Sequence, residues 1–146
     1  MKTGILAAAA VSALVSLPAY CADPYEGVWS NDWNNSVTIK HTGGNEYLLT
    51  FYSPDGATGY TNCVVKARSA EKGVLLPAET SMHCTDYEYT DDGQEKPVGK
   101  HIGEVKADFY EHYTKDQEDE IVEYFRDCEP SENDDCTYTY NNKEKQ

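Results

Sequence analysis

Carboxylates and imidazoles are the side chains of this sequence with the most versatile chemistry. The chain contains 26 Asp and Glu residues and four histidines, His41, His83, His101 and His112. Catalysis by two carboxylates requires one acid in an apolar pocket and a second in a polar setting. With so many acids, proximity alone singles out no pair, and no G-x-S-x-G motif marks a nucleophilic serine. The sequence therefore predicts a protein that is not an enzyme.

The acids between Asp86 and Asp92 have the composition of a cation-binding loop. Asp86, Glu88, Asp91 and Asp92 supply carboxylates close together in sequence. An EF-hand loop places Gly at its sixth position and a bidentate Glu at its twelfth. Counted from Asp86, Gly93 falls at position eight, and no Glu closes the frame. We therefore expect no cofactor, and only weak adventitious Ca²⁺ binding by this loop.

Residues 1–22 have the pattern of a secretory signal peptide. One Lys precedes an apolar run over residues 5–17, which is too short and too weakly flanked for a membrane span. Tyr20 stands where a lipoprotein signal needs a small residue, which disfavours Cys21 as a lipid-anchored first residue. We expect cleavage at the end of this segment, export to a bacterial periplasm, and a single acidic β-domain over residues 23–146.

Cysteine usage agrees with an oxidising compartment. Beyond the leader the cysteines are even in number: Cys63, Cys84, Cys128 and Cys136. In an exported domain this indicates two disulfides, for which three connectivities are possible. We favour Cys63–Cys84 and Cys128–Cys136, because each pair is close in sequence and separated by turn-like residues. No C-x-x-C spacing or group of histidines indicates a zinc site.

Charge is distributed unevenly along the chain. Residues 23–84 carry 7 Asp and Glu against 4 Lys and Arg, whereas residues 85–146 carry 19 against 7. A surface this acidic repels phosphate, which excludes a nucleic-acid-binding role. Charge runs usually form a solvated face that keeps a protein dissolved, and that is one interpretation. The abundance of Tyr among these acids favours a docking surface, because tyrosines anchor protein interfaces.

The docking surface is predicted in two stretches where Tyr residues are interspersed with Asp and Glu. Tyrosines would supply contact area, while the acids would steer a cationic protein towards it. The predicted partner-binding residues are Tyr87, Glu88, Tyr89, Asp91, Asp92, Glu118, Asp119, Glu120 and Tyr124.

Alternation of apolar and polar residues predicts that strands position these side chains. Residues 36–41 and 46–53 flank the turn sequence of residues 42–45, which predicts a β-hairpin. Residues 120–128 fit a helix by the spacing of Ile121 and Phe125, but their β-branched and aromatic content favours a strand. Other strands are predicted over residues 60–67, 73–77, 81–89 and 99–113, with a turn at 90–94 and a short edge strand after Cys136.

The segment Gly27-Val28-Trp29 opens the first predicted strand. It resembles the G-x-W start of lipocalin-like barrels, in which the Trp closes the barrel floor. That resemblance implies a carrier of a small apolar ligand, although a Trp also packs beneath the first strand of other small β-domains. The predicted fold class is all-β and mainly antiparallel, as a small lipocalin-like barrel or a β-sandwich held by two disulfides.

In size, leader, charge and cysteine usage the chain resembles periplasmic lysozyme inhibitors and the immunity proteins that protect cells from secreted cell-wall toxins. Enzymes that cleave peptidoglycan bind a polyanionic polymer and commonly present basic surfaces around a cleft. The resemblance implies an inhibitor that blocks a secreted cell-wall hydrolase, either a muramidase or an amidase. The lipocalin-like carrier is the alternative, and it requires more apolar inward positions than this chain supplies.

Overall fold

The computed structural model describes residues 23–70, 73–114 and 117–142, with side chains described over 23–70, 73–109 and 119–142. Within these residues the chain forms ten strands and no helix, which confirms the all-β prediction. The predicted leader lies outside the described residues. The strands are β1 (Gly27–Ser30), β2 (Ser36–Gly43), β3 (Glu46–Asp55), β4 (Gly59–Ala70), β5 (Val74–Pro77), β6 (Ser81–Tyr89), β7 (Glu95–Glu104), β8 (Ala107–Thr114), β9 (Gln117–Phe125) and β10 (Thr137–Asn142).

Eight strands close into an antiparallel barrel. In chain order, β1, β2, β3, β4, β5, β8, β9 and β10 each pair with the next, and β10 pairs back onto β1. Closure satisfies the backbone hydrogen-bonding groups that an open sheet leaves at its edges. The structure therefore selects the barrel over the β-sandwich.

Strands β6 and β7 form a hairpin outside the barrel. On one side, β4 pairs with β3 over residues 59–68. On the other side, the short β5 covers only residues 67–70 of β4, and β6 pairs with residues 59–64. β7 pairs with β6 and forms an edge of the sheet. The hairpin is thus inserted between the fifth and sixth barrel strands and attached along β4.

Inward-facing apolar side chains fill the barrel. Alternation along β2 and β3 points Val37, Ile39 and Leu49 inward, and each is at most 1% exposed. Phe109 of β8 and Ile121 of β9 belong to the same buried cluster. Burial of apolar surface contributes about 25 cal/mol per Å². This core is therefore the main source of the stability of the barrel.

Contacts around Trp29 cover the barrel end at which β1 begins. The indole is 3% exposed, and its Nε1–H donates to the carbonyl oxygen of Tyr25 at 2.8 Å. The Tyr25 ring meets Tyr47 edge-on, with centroids 5.6 Å apart. The Tyr47 hydroxyl in turn donates to the Asp23 carboxylate at 2.6 Å. The segment ahead of β1 is therefore fastened to the core.

The prediction of one strand over residues 99–113 is wrong. The structure has two strands there, β7 and β8, separated at Val105 and Lys106. The Val105 N–H donates to Thr80 O at 3.1 Å, and the Arg126 N–H donates to Lys106 O at 2.6 Å. The chain passes from the hairpin into the barrel wall at this point. Alternation continues across the crossing, so the sequence pattern does not reveal it.

The expectation of an edge strand near the C-terminal end is also wrong. β10 pairs with β9 on one side and with β1 on the other, and thereby closes the barrel. The strand predicted over residues 120–128 is confirmed in type. Its bounds differ, because β9 runs from Gln117 to Phe125 and Cys128 lies beyond it.

Both predicted disulfides are confirmed. Cys63–Cys84 joins residues that lie opposite each other on β4 and β6. Cys128–Cys136 closes the connection between β9 and β10. Cross-links of this kind reduce the conformational freedom of the unfolded chain. The first of them also fixes the hairpin to the barrel.

Gly59→Ala is expected to destabilise the protein by about 1–3 kcal/mol, the range of overpacking substitutions. An added methyl group would lie 2.0 Å from the carbonyl oxygen of Tyr87, so β6 must shift away from β4. Urea unfolding measures the change, with amide hydrogen exchange along β6 as the local readout. Gly99→Ala is the control, since its methyl group would meet only the Asp86 carboxylate, at 3.6 Å. Equal stability of the two variants would contradict this expectation.

One carboxylate is buried within the barrel. Glu123 of β9 is 9% exposed and accepts a hydrogen bond from the Tyr140 hydroxyl of β10 at 2.6 Å. Burial raises the pKa of Glu123 above its ordinary value of 4.5, and the Tyr140 hydrogen bond opposes that shift only partly. The folded protein thus holds this proton more tightly than the unfolded chain. Its contribution to stability is full below pH 4.5 and is lost as the pH rises through the folded-state pKa.

Glu123→Gln removes the titrating group but keeps an oxygen that can accept from Tyr140. We expect this variant to be more stable than the unmodified protein at neutral pH, and the difference to vanish below the ordinary pKa of this group, 4.5. Urea unfolding at a series of pH values measures it. Glu129→Gln, at an exposed position, is the control and should leave the pH dependence unchanged. A Glu123→Gln variant that is less stable at neutral pH would overturn the prediction.

Candidate protein-binding surface

Four connections between strands lie at one end of the barrel. Where strands alternate in direction, every second connection lies at the same end. The Tyr89 N–H donates to Thr58 O at 2.9 Å, which places the hairpin turn beside the β3–β4 connection. We call this set the acidic end. It comprises residues 31–35 (β1–β2), 56–58 (β3–β4), 90–94 (β6–β7) and 126–136 (β9–β10).

Exposed carboxylates dominate the acidic end. The only cation in these four connections is Arg126, whose guanidinium is bound to the Asp108 carboxylate. The exposed carboxylates therefore give these four connections a net negative charge, which attracts a cationic molecule. The exposed carboxylates are those of Asp32, Asp91, Asp92, Asp127, Glu129, Glu132, Asp134 and Asp135.

The acidic connection between β9 and β10 is held in one shape. The Cys128–Cys136 disulfide closes it, and Ser131 and Asp134 exchange backbone hydrogen bonds at 2.7 and 3.3 Å within it. The Asp134 carboxylate accepts from the Cys136 N–H at 2.9 Å, and the Asp135 carboxylate accepts from the Thr137 N–H at 3.1 Å. Little conformational entropy remains to be lost when a partner binds here.

The hairpin turn is similarly ordered. Gly93 adopts the left-handed conformation, with φ 77°. Thr90 and Gln94 are linked by a backbone hydrogen bond of 2.8 Å, and the Thr90 hydroxyl accepts from the Gln94 N–H at 3.0 Å. The same hydroxyl donates to the Asp92 carboxylate, which lowers the pKa of Asp92. The turn therefore presents Asp92 in its charged form at neutral pH.

A cluster of four tyrosines joins the hairpin to β3 and β4. The Tyr60 ring lies at its centre, with centroid distances of 4.8 Å to Tyr87, 5.0 Å to Tyr52 and 5.9 Å to Tyr89. Tyr60 is 8% exposed, whereas Tyr89 is 41% exposed. Aromatic pairs at such distances add about 0.5–1.5 kcal/mol each beyond the area they bury. The cluster therefore orders the turn end of the hairpin and leaves one ring open to a partner.

The hydroxyl of Tyr60 donates to the Glu95 carboxylate at 2.7 Å. This hydrogen bond, with burial and the negative charge of Glu95, raises the pKa of Tyr60 to about 12. The pKa of Tyr89 is also raised, chiefly by its hydrogen bond with Tyr52. Tyr52, Tyr60 and Glu95 are not among the site residues predicted from the sequence. They join it only through the pairing of β3, β4 and β6, which no local pattern encodes.

The predicted site residues of the first stretch largely come together. Tyr87 and Tyr89 lie in the tyrosine cluster, and Asp91 and Asp92 form the hairpin turn. Glu88 points to the other face of β6, because successive residues of a strand alternate between faces.

The second predicted stretch is divided between the two ends of the barrel. Tyr124 is 41% exposed and lies next to the last residue of β9, close to the acidic end. Asp119 and Glu120 are half-buried near the start of β9, at the opposite end. The side chain of Glu118 lies outside the described residues. The structure therefore does not bring Asp119 and Glu120 together with the hairpin turn.

The acids considered for Ca²⁺ are not grouped around one point. The Asp86 carboxylate accepts from the Thr61 hydroxyl at 2.6 Å and lies 3.1 Å from Nδ1 of His101. Among the side chains that the structure describes, one group of three ligand atoms lies close together, and it consists of Cys128, Asp134 and Cys136. Its two sulfur atoms form the disulfide, which removes them as thiolate ligands.

Comparisons with known proteins give no relatives: no family model, curated protein or solved structure matches this chain. Across the described ranges, no helix has the length and apolar character needed to span a membrane.

Replacing Glu95 by Gln is expected to lower the pKa of Tyr60 from about 12 towards the ordinary Tyr value of 10.0, because the negative acceptor of its hydroxyl is lost. NMR titration of ¹³C-labelled tyrosine rings measures the pKa directly. Glu88→Gln, on the other face of β6, is the matched control and should leave Tyr60 unchanged. An unaltered Tyr60 titration in Glu95→Gln would show that this hydrogen bond does not control the cluster.

Proposed function

We propose that this protein is a periplasmic inhibitor that binds and blocks a secreted cell-wall hydrolase, as an immunity protein blocks its toxin. The observation that carries the proposal is the convergence of eight exposed carboxylates on connections at one end of the barrel. A muramidase or an amidase would be bound at the basic surface around its substrate cleft. The inhibitor would cover that cleft with the acidic end.

Electrostatics support a partner of this kind. An enzyme that works on polyanionic peptidoglycan gains from positive charge around its cleft, and a compact negative surface is attracted to the same place. Complementary charge raises association rates and suppresses binding to anionic competitors. With a net charge of −14, the whole chain adds to this attraction.

The order of the acidic end supports inhibition as well as attraction. The disulfide between Cys128 and Cys136 and the hydrogen bonds of the hairpin turn order the backbone of the two connections that carry most of these acids before binding. A preordered surface loses little entropy when it docks, so more of the interaction energy appears as affinity. The exposed ring of Tyr89 adds contact area beside the acids of the turn.

The packing of the barrel favours binding at the surface over binding inside it. Leu49, Phe109 and Ile121 are each at most 1% exposed and occupy the space where a lipocalin-like carrier would hold its ligand. A depression of about 530 Å³ lies on the outside of β3 and β4 and is lined partly by Lys66 and Arg68. A partly charged surface depression is not the apolar cavity that a carrier of an apolar ligand requires.

The double variant Glu129→Gln/Glu132→Gln should associate more slowly with a basic muramidase, by roughly 2–5-fold at low ionic strength, because two steering charges are lost. Stopped-flow or surface-plasmon measurements at several salt concentrations give this rate. The matched control is Glu26→Gln/Glu46→Gln, which removes two exposed Glu charges at the opposite end.

The probes are lysozyme and a panel of basic muramidases and amidases, assayed for binding and for inhibition of peptidoglycan hydrolysis. We expect a complex that weakens with salt and that inhibits at least one of them. Absence of binding and inhibition across the panel would refute the proposed function. Equal association rates for the two double variants would refute the assignment of the acidic end as the docking surface.

A further inference from the structure

Trp33 is the most exposed large apolar side chain in the part of the chain that the structure describes. It is 76% exposed, whereas Trp29, the other tryptophan, is 3% exposed. Trp33 lies in the connection between β1 and β2, which belongs to the acidic end. An exposed indole contributes nothing to the core and carries a cost in solubility. Its position therefore calls for an explanation beyond folding.

The turn that carries Trp33 is held by Asn31. The Oδ1 atom of Asn31 accepts from the backbone N–H groups of Trp33 and Asn35, each at 3.0 Å. Backbone hydrogen bonds of 3.0 Å between Asn31 N and Asn35 O, and of 3.2 Å between Asn34 N and Asn31 O, complete the turn. Asn34 supplies the left-handed residue, with φ 62°. The backbone at Trp33 is thus ordered without any contribution from its own side chain.

We propose that Trp33 is the anchor of the interface, and that its indole enters an apolar pocket that is rimmed by Lys and Arg on the hydrolase. This inference rests on the proposed function and adds the residue that determines affinity. Tryptophan is enriched among the few residues that carry most of the energy of an interface, and such residues are ringed by polar groups that exclude water. Asp32 and the other acids of this end provide that ring.

The negative charge of the acidic end indicates which kind of molecule binds the Trp33 indole. Exposed tryptophans also stack on sugar rings, and peptidoglycan is the polymer nearest at hand in the proposed setting. The eight exposed carboxylates at the same end of the barrel as Trp33 would repel that polyanion but attract a cationic protein. Guanidinium groups at the rim of a basic cleft also interact favourably with the face of an indole. The occupant favoured by these observations is therefore the enzyme and not its substrate.

Fluorescence tests the proposal, because the chain has only two tryptophans. The emission of Trp33 is obtained by subtracting the emission spectrum of Trp33→Phe from that of the unmodified protein, with both spectra recorded under the same conditions. On titration with the hydrolase that binds, we expect this emission to shift to shorter wavelength and its quenching by acrylamide to fall at least about twofold. Urea unfolding of Trp33→Ala should match that of the unmodified protein, since the side chain is exposed.

Binding kinetics separate the anchor from the steering charges. Trp33→Ala should weaken the complex on the order of 100-fold, through faster dissociation and with little change in the association rate. Ile102→Ala is the control: this side chain, on β7, is 69% exposed, and its loss should change affinity by less than about threefold.

Three outcomes would overturn the inference. If Trp33→Ala binds as tightly as the unmodified protein while Glu129→Gln/Glu132→Gln associates slowly, the anchor is wrong and the proposed function stands. If soluble peptidoglycan fragments protect Trp33 from quenching and the enzymes do not, the indole belongs to a sugar site. If no hydrolase binds any form of the protein, the proposed function and the anchor fail together.

Discussion

Strand β4 pairs with three other strands, and the shape of the molecule depends on this sharing. Backbone N–H and C=O groups in a sheet need partners along the whole strand. β5 is only four residues long, so it leaves residues 59–64 of β4 to be completed by β6. The hairpin is therefore placed outside the barrel but remains continuous with its sheet. Gly59 allows the close approach, and Cys63–Cys84 makes the attachment covalent.

Local patterns predict most of the strands but not all of their neighbours. Alternation and a Gly-Gly-Asn turn identify the β2–β3 hairpin, and sequence proximity identifies both disulfides. The same alternation runs on through Val105 and Lys106, where the chain leaves one sheet partner for another, so two strands look like one. The last strand looks like an edge for a related reason. Its two partners, β1 and β9, become visible only when the barrel closes.

The candidate surface was predictable where its residues are close in sequence. The hairpin turn carries its acids and tyrosines within one short stretch, and the structure keeps them together. The positions of the other residues of the surface depend on pairing between strands that are distant in sequence. Tyr52 and Tyr60 reach the cluster across three strands, and Trp33 reaches the acidic end because alternate connections of a barrel share an end. Conversely, the charge run that includes Asp119 and Tyr124 lies along one strand, and the length of that strand separates its members.

β7 has a consequence for self-association. As the terminal strand of the sheet it exposes one row of backbone groups, and such rows template the addition of further strands that leads to fibrils. Pro97 lacks an N–H group for such a contact, and Val98 is an unpaired extra residue that bends the strand opposite β6. If the β7 strands of two copies paired in parallel, Lys96 and Lys100 of one copy would face the same lysines of the other, and their like charges would repel. The same strand that extends the hairpin therefore carries three features that oppose the edge-to-edge addition of a second copy.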